Sequence, residues 1–585
     1  MQKLPPFAFL FASLAACSGS PGETTANDPT AGTETAGTTA ASETGSTTPT
    51  TTQATEGTET TVSPTTAGDT TTVDTSTGPD TDTGASEDCA PDDTRACYSG
   101  PDGTEGVGQC VAGEQQCGPD GTWGSCIGEV VPAPESCDLA GDEDCDGADP
   151  CMGEGTVGWS RIFGGPTEDY GAGVAFDGAG NVVVAATSTL SIDFGGGPLI
   201  GAGIYPAYDV YVAKFSPTGA HLWSKRFGDA DVQGFRLAIT TTAAGEIVMA
   251  GDARGTIDFG GGPLVNGPNP DGFLVKFTGD GEHVWSKAIK GGNFGNSSAP
   301  HLAVDEGGNI VLAGSFRSDI DLGGGVMVAA GETDVFLAKF SSAGAHQWSR
   351  RFGDPQQQDA NGVGVDGAAN IYVTGGFRGA IDPGSGPLIS AGESDMFVAK
   401  FDPAGQAVWG ARFGGAGAEL ADGLVVDSKD RITITGVTNQ SIDFGGGPIV
   451  TPDYASVLAQ FDSSGAHQWS RLLCTTGLGR AIGIATDGFD SVLLAGSFSG
   501  QCDLGGGPLT AADATDTLVA RLTPSGAHVW SKRFGEVNHQ AAYAVAGSAA
   551  GVVAATGGFL GLVDFGDGPE TGPGLEDGFI VTFSP

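Results

Sequence analysis

The chain has 585 residues, of which 100 are glycine, and it carries 71 acidic against 25 basic residues. The formal net charge of -46 repels polyphosphate and no basic run offers a surface for it, so we expect no nucleic-acid partner. The high glycine content and the lack of long helix-period patterns favour an all-β chain of short strands and turns.

The N-terminus (1–16) predicts export and lipidation. Lys3 precedes an apolar run that is too short to span a bilayer and is typical of a secretory signal peptide. The small residues before Cys17 resemble the bacterial lipoprotein box, in which this cysteine is acylated, for example with palmitate, and becomes the mature N-terminus. The alternative is a plain signal peptide with a chance cysteine. Ser18 implies the outer membrane under the sorting rule of that class, so we expect an outer membrane lipoprotein of the cell envelope that faces either the periplasm or the cell surface.

Residues 17–86 consist of Thr, Ser, Gly, Glu and Asp with almost no apolar side chain. Such a composition cannot bury enough surface to offset its chain entropy, so we predict a disordered Thr/Ser-rich linker. A lipid followed by a solvated tether would display the later parts of the chain away from a membrane.

Residues 87–152 form a small cysteine-rich module. In an exported chain of this size, eight cysteines favour four disulfides over a zinc site, because paired CxxC spacing is lacking. The sequence does not fix their pairing. The eight cysteines are Cys89, Cys97, Cys110, Cys117, Cys126, Cys137, Cys145 and Cys151. Two later cysteines, Cys474 and Cys502, are candidates for a fifth bridge.

The end of this module contains a candidate metal site. Asp142, Asp144 and Asp146, followed by Gly147, match the first half of a calcium loop, in which alternate carboxylates converge on one cation. The match fails at the twelfth position, which is Gly153. The segment is similar to a Cys/Asp motif of bacterial surface proteins that is described as metal-binding. Calcium or another metal therefore competes with a solvated acidic turn held by disulfides.

A glycine-rich segment, Asp193-Phe194-Gly195-Gly196-Gly197 in its first copy, recurs along the rest of the chain. Its seven copies are spaced by about 60 residues, which indicates a repeat architecture. The copies begin at Asp193, Asp258, Asp321, Asp382, Asp443, Asp503 and Asp564. No kinase or phosphate-loop partner motif accompanies these glycines, so we expect them to form structural turns capped by the aspartate.

Each repeat predicts two hairpins. In the first, 173–176 and 182–185 flank one turn, and 209–215 and 221–228 flank another. Four strands per repeat predict one blade, so residues 153–585 are expected to form a seven-bladed β-propeller. A tryptophan recurs once per repeat, at Trp159, Trp223, Trp285, Trp348, Trp409, Trp469 and Trp530.

The ends of the repeat region predict how the propeller closes. The last repeat stops at Pro585 without its Trp strand, whereas the Trp strand at 159–163 precedes the first hairpin as a surplus. Pairing the N-terminal Trp strand with the C-terminal strands would complete the last blade and remove an open edge.

The repeated pattern, typified by Asp209-Val210-Tyr211-Val212-Ala213-Lys214-Phe215 and the later Trp and Asp-Phe-Gly-Gly-Gly elements, resembles the bacterial β-propeller repeat family abbreviated SBBP. The resemblance covers about 157–585 and implies a scaffold. That family has no general activity to transfer to residues of this chain.

Catalytic constellations are not recognisable in the sequence. Five histidines precede the blade Trp by two residues, on separate blades that are too far apart to share an ion. These are His221, His283, His346, His467 and His528. Only His301 and His539 fall outside the repeat, each without a recognisable partner. We therefore favour a structural role for the histidines and predict no catalytic residue.

The sequence predicts a lipid-anchored binding protein that presents a β-propeller to an unknown protein or glycan. The irregular segments 201–208, 266–270 and 291–300 are the candidate recognition loops. An exported hydrolase or lyase with its site at the channel mouth is the alternative, as is a calcium-dependent surface or adhesion component. A non-repeated group of acids with a histidine at one mouth would favour the enzyme.

Overall fold

A computed structural model describes residues 89–101, 103–133, 142, 145, 153–203, 207–292, 300–451, 454–474, 479–566 and 568–585. Every regular element in these ranges is a β-strand, as the sequence predicts. Within these ranges the structure has no helix long and apolar enough to cross a membrane.

The cysteine-rich module contains one short antiparallel pair, β1 (Thr94–Cys97) and β2 (Gly113–Gln116). Among its described residues three disulfides hold it, and they join Cys89 to Cys117, Cys97 to Cys126, and Cys110 to Cys145. The module has few buried apolar side chains, so covalent cross-links take the place of a core. Cys137 and Cys151 lie outside the described residues.

The repeat region forms seven antiparallel sheets, numbered here in chain order, with strands given from the inner to the outer edge. Sheet 1 contains β4 (Asp169–Phe176), β5 (Val182–Ser188), β8 (Asp209–Phe215) and β9 (His221–Phe227). Sheet 2 contains β10 (Gln233–Thr241), β11 (Ile247–Ala253), β14 (Asp271–Phe277) and β15 (His283–Gly291). Sheet 3 contains β16 (His301–Val304), β17 (Ile310–Phe316), β20 (Asp334–Phe340) and β21 (His346–Phe352). Sheet 4 contains β22 (Gln358–Val365), β23 (Ile371–Phe377), β26 (Asp395–Phe401) and β27 (Ala407–Phe413). Sheet 5 contains β28 (Leu420–Val426), β29 (Ile432–Thr438), β32 (Ala455–Phe461) and β33 (His467–Leu472). Sheet 6 contains β34 (Gly479–Thr486), β35 (Val492–Phe498), β38 (Asp516–Leu522) and β39 (His528–Phe534). Sheet 7 contains β40 (Gln540–Gly547), β41 (Val553–Phe559), β44 (Asp577–Phe583) and β3 (Val157–Phe163).

Between the second and third strand of each sheet lies a short hairpin built on the glycine-rich segment, which the sequence predicted only as a turn. The seven hairpins pair β6 (Ser191–Ile192) with β7 (Leu199–Ile200), β12 (Thr256–Asp258) with β13 (Pro263–Val265), β18 (Ile320–Asp321) with β19 (Val326–Met327), β24 (Ala380–Ile381) with β25 (Leu388–Ile389), β30 (Ser441–Asp443) with β31 (Pro448–Val450), β36 (Gln501–Asp503) with β37 (Pro508–Thr510), and β42 (Leu562–Asp564) with β43 (Pro569–Thr571).

The prediction of seven equal four-stranded blades needs a correction. Six sheets have four strands, but sheet 2 is a six-stranded sheet because β18 and β19 extend it. The reason is that β15 runs two residues further than the other outer strands, so Lys290 and Gly291 pair with Asp321 and Ile320 of the next repeat. The other six hairpins remain separate two-stranded sheets.

The propeller closes as the sequence predicts. The N-terminal strand β3 pairs antiparallel with β44, with Trp159 opposite Thr582 and Phe163 opposite Gly578. Each inner strand packs on the inner strand of the next sheet, and β40 packs on β4. The second and third strands are buried along their whole length, because neighbouring sheets cover both of their faces.

The recurrent tryptophans join neighbouring sheets. Trp159 Nε1 donates to the carbonyl oxygen of Pro217, 3.1 Å away in the outer turn of the next sheet, and its ring packs on Gly219 of that turn. Five further tryptophans donate equivalently to Gly279, Ser342, Pro403, Ser463 and Pro524. A side chain on these turn glycines would overlap the indole ring, and their positive φ favours glycine as well.

Trp530 faces the place where the chain ends meet, and no turn carbonyl is available there. Its ring packs on Gly155 instead of a turn glycine, and its Nε1 has no hydrogen-bond partner among the described residues. Closure by two chain ends therefore keeps the packing of the tryptophan but loses its hydrogen bond.

Cys474 and Cys502 form a disulfide with a Cα–Cα distance of 4.3 Å, as the sequence suggested. In sheet 1 the first residue of the third strand, Asp209, pairs with Arg226 at 2.7 Å. In sheet 5 the equivalent residues are Ala455 and Leu472, which cannot form an ion pair. We call the place where the third strand of a sheet begins and its outer strand ends the corner of that sheet. The disulfide therefore lies at the corner of sheet 5, the one described corner that lacks both the aspartate and the arginine.

We predict that Cys474→Ser/Cys502→Ser lowers the free energy of unfolding by about 2–4 kcal/mol, because the bridge closes a loop in the unfolded chain. Urea unfolding with and without reductant measures the effect. Reductant should destabilise the propeller transition of the native protein and leave that transition unchanged in the double variant, because the other described disulfides lie in the cysteine-rich module. The control is Cys474→Gly/Cys502→Ile, which restores the residues of sheet 1 at these positions. If this control matched the native protein in stability, packing rather than the bridge would be responsible.

Candidate functional site

The glycine-rich segments are structural turns, which confirms the sequence-based interpretation. Asp193 Oδ1 accepts hydrogen bonds from the backbone N–H groups of Gly195 at 2.7 Å and Gly197 at 3.1 Å, and both glycines have positive φ. The same pair of bonds recurs at the other six aspartates. In each copy, this aspartate oxygen therefore caps the backbone N–H groups of its own turn.

The repeated histidines serve the same hairpins. His467 lies against Gly446, the middle glycine of its hairpin, and its Nε2 is 3.0 Å from Ser470 Oγ. The rings of His221, His283, His346 and His528 pack in the same way. Among the described residues, no group of three or more His, Cys, Asp or Glu side chains could hold a metal ion.

Sheet 4 shows that the histidine and the glycine depend on each other. It has Ala407 in place of the histidine, and its hairpin has Ser385 in place of the middle glycine. A Cβ at Gly446 would overlap the ring of His467, whereas no ring occupies that space in sheet 4. The glycine is thus required by close approach of the ring.

We predict that Gly446→Ser destabilises the protein by about 1–3 kcal/mol, because the new side chain overpacks against His467. His467→Ala/Gly446→Ser should recover most of that loss, since it reproduces the pair found in sheet 4. Thermal unfolding of the two single variants and the double variant gives the coupling energy. Strictly additive effects would contradict the prediction.

Features that do not repeat are concentrated at one edge of the propeller, here called the mouth, where the inner and third strands begin. At the junction of sheets 7 and 1, Tyr170 on β4 donates to Glu576 Oε2 at 3.0 Å. Tyr208 donates to Glu168 Oε2 at 2.7 Å. The ring of Tyr543, on β40, lies 6.4 Å from that of Tyr170, so three tyrosines and two carboxylates share this part of the mouth.

Burial controls the protonation of this group. Glu576 is only 7% exposed, and burial raises the pKa of its carboxyl to about 7. Burial also raises the pKa of Tyr170, with the charge of Glu576 acting in the same direction. Near neutral pH, Glu576 can therefore exchange a proton while the Tyr170 hydroxyl stays protonated.

A second group spans sheets 2, 3 and 4. The backbone N–H of Arg236 donates to Asp252 Oδ1 at 2.9 Å, and the Arg236 guanidinium also interacts with Asp359. Gln357 Nε2 donates to Asp359 Oδ2 at 2.6 Å, and the exposed Arg317 favours the charged form of that carboxyl. Burial nevertheless raises the pKa of Asp359 and of Asp252.

A third group joins sheets 5 and 6. Arg480 on β34 makes a forked contact with Asp422 on β28, with Nε 3.0 Å from each carboxylate oxygen. Both side chains are largely buried. His301, the first residue of β16, stands at the same edge, and burial lowers its pKa to about 4, so its ring is neutral.

The irregular segments singled out from the sequence lead to this same edge. Residues 201–208 precede β8, 266–270 precede β14, and 291–300 precede β16. All three connect to strands that begin at the mouth. The described residues of these segments that adjoin the strands therefore lie on the same face as the non-repeated polar groups.

The structure brings together residues that the sequence analysis did not assign to a site. The sequence did carry a signal for them, because Tyr170, Arg236, Asp359, Asp422 and Arg480 are large polar or charged residues on inner strands in which small and aliphatic residues are frequent. Of the residues predicted from sequence, Cys17, Asp144 and Asp146 lie outside the described residues. Asp142 is buried, and its carbonyl oxygen accepts from Gln109 N. The calcium loop remains a prediction.

Comparisons with known proteins agree with the fold. The Beta-propeller repeat family matches residues 347–375. An uncharacterized WD repeat-containing protein of Acanthamoeba polyphaga mimivirus is 25% identical over 203 residues, which cover 29% of this chain and 15% of the viral protein. The regulatory protein FlaEY of Caulobacter vibrioides is 25% identical over 235 residues, 38% of this chain and 24% of FlaEY. The chain thus spans a quarter or less of the length of these relatives.

Among solved structures, an ulvan lyase from a new family of polysaccharide lyases is similar with a TM-score of 0.34 and 13% identity, over 65% of this chain and 97% of the lyase. A puromycin hydrolase mutant gives a TM-score of 0.36 and 12% identity, over 69% of this chain and 53% of the hydrolase. The chain is a repeat protein with a β-propeller fold and a disulfide-rich N-terminal module.

Proposed function

We propose that this protein is a lipid-anchored binding protein of the bacterial cell envelope and that it recognises its ligand at the mouth of the propeller. The observation that supports the proposal is the asymmetry of that edge. Six of the seven Trp contacts and all seven aspartate turns repeat, whereas the mouth carries three polar groups that differ from one another. Repeated features explain the scaffold, and an asymmetric surface is what specific recognition needs.

The chemistry of the mouth suits an acidic or polyhydroxylated glycan. Tyrosine hydroxyls and carboxylates donate to and accept from sugar hydroxyls, and a guanidinium matches the carboxylate of a uronic acid with two parallel bonds. Arg317 is exposed at this edge, and Arg236 and Asp359 are half-buried. A protein ligand that offers the same groups is the other candidate, and the two are separated by the test.

We predict that the full mature chain binds members of a panel of defined neutral, uronate-containing and sulfated polysaccharides. Arg317→Ala and Asp359→Asn should each weaken that binding about tenfold, as expected for loss of one hydrogen bond to a charged group. The matched control is Lys225→Ala on the outer strand β9, which removes a surface pair with Glu282. Binding to none of the polysaccharides, or equal loss in the control, would overturn the glycan assignment.

An exported hydrolase or lyase is the second candidate, and Glu576 is the observation that favours it. A buried carboxyl that holds a proton near neutral pH beside a tyrosine hydroxyl and a second carboxylate is a suitable general acid. The same polysaccharide panel tests it by chain shortening. Glu576→Gln keeps the hydrogen bond from Tyr170 but cannot transfer a proton, so it should abolish cleavage and retain binding if the protein is an enzyme.

The membrane anchor is tested separately. We predict that Cys17→Ser moves the protein from the membrane fraction to the soluble fraction and abolishes labelling with a palmitate analogue, because the acylated thiol is lost. Ser18→Ala should leave both unchanged as a control. Retention of Cys17→Ser in the membrane fraction would contradict the lipoprotein assignment.

A further inference from the structure

The junction of sheets 7 and 1, here called the seam, differs in charge from the other junctions. In sheet 3, Asp334 at the start of the third strand pairs with Arg351 at 3.1 Å, and the neutral side chain of Gln358 follows on the next inner strand. Sheets 1, 4 and 6 place an arginine against the same aspartate. The aspartate of these corners is thus neutralised by a cation from its own outer strand.

At the seam both compensating residues are changed. The outer strand is β3, and Ile162 stands where sheets 1, 3, 4 and 6 have arginine. Asp169 stands where sheets 2, 4 and 7 begin with glutamine. Asp577 and Asp169 are therefore two carboxyl groups without an arginine, whereas the corner of sheet 4 sets Arg412 against its own pair of acids, Asp395 and Glu419.

The two carboxyl groups are buried and close to each other. Asp169 is 0% exposed and Asp577 is 2% exposed. A Cβ on Gly164 would meet oxygens of both side chains, so Gly164 lies between them. One oxygen of each carboxyl, Oδ1, has no hydrogen-bond partner, and the other accepts a backbone N–H, from Gly165 at 2.8 Å and from Gly574 at 3.0 Å.

The elements around the seam bring further acids and no described cation. Glu168 precedes β4 and Glu576 precedes β44, and they bond to Tyr208 and Tyr170. Tyr543 approaches from β40, and Ser188 at the end of β5 favours the charged form of Asp169. None of the ion pairs within the described residues involves the four acids of the seam.

We propose that the seam is held by protonated carboxyl groups of Asp169 and Asp577, so that closure of the propeller depends on protons. Two buried carboxylates without a cation repel each other, whereas one shared proton turns the repulsion into a hydrogen bond. This proposal does not rest on ligand binding at the mouth. Tyr170 directly follows Asp169, and Glu576 directly precedes Asp577. The protonation state of the seam therefore also sets the geometry of that part of the mouth.

The direction of the pH dependence follows from the folded state. Burial raises the pKa of Asp169 to about 7 and that of Asp577 to about 6, and the charge of Asp577 adds to the effect on Asp169. The folded protein therefore binds protons more tightly than the unfolded chain. The stabilisation is complete below about pH 4 and is lost as the pH rises through about 6 to 7.

The experiment compares thermal unfolding of the full chain between about pH 5 and pH 8. We expect the melting temperature of the native protein to fall by several degrees over this range. Asp169→Asn and Asp577→Asn should each flatten the dependence and raise the melting temperature at about pH 8. The matched control is Asp334→Asn, which removes an aspartate that has its arginine, and should destabilise at both pH values with an unchanged slope.

A direct readout accompanies the melting curves. The infrared carbonyl band of protonated carboxylic acids should be present near pH 6 in the native protein and weaker in Asp169→Asn. This measurement tests the proposal with Asp169→Asn alone if Asp577→Asn does not fold. Equal slopes in the native protein and in both seam variants would overturn the proposal. Recovery of the melting temperature at about pH 8 by calcium alone, lost in the seam variants, would also overturn it in favour of a cation.

Discussion

The contact between each recurrent tryptophan and the turn of the next sheet is the constraint on which the rest of the structure depends. A propeller sheet cannot bury both of its faces alone, so it must pack between two neighbours. Here the indole ring covers a turn glycine and its N–H reaches a carbonyl of that turn. Because the contact links each sheet to the following one, the packing of one repeat fixes the position of the next.

At the junction that closes the propeller, the packing of the tryptophan is kept but its hydrogen bond is lost. Strand β3 supplies the tryptophan strand of the last sheet, so the two ends of the repeat region meet where a turn would otherwise be. Gly155 retains the packing on Trp530, but the hydrogen bond is lost and the arginine of the corner is replaced by Ile162. The junction between chain ends is thus the place where the repeated interactions are incomplete, and there the chain carries buried carboxyl groups.

The distribution of exceptions separates scaffold from candidate function. Changes in the scaffold are paired: Ala407 accompanies Ser385, and the Cys474–Cys502 bridge accompanies the loss of an ion pair. Changes at the mouth, such as Tyr170 with Glu576 and Arg480 with Asp422, differ from one junction to the next and gather at one edge. For this reason the mouth, rather than any repeated residue, is the surface proposed for recognition.

The sequence by itself determined the all-β propeller, its closure and the structural use of the glycines and histidines, because a period of about 60 residues repeats the same local pattern seven times. It did not determine that β15 would recruit the next hairpin, since that depends on two extra paired residues. It also did not determine the mouth. Tyr170 and Glu576 are 406 residues apart, and only closure of the propeller places them within hydrogen-bond distance. Local periodicity fixes each repeat, whereas contacts between the first and last repeats exist only in the closed tertiary structure.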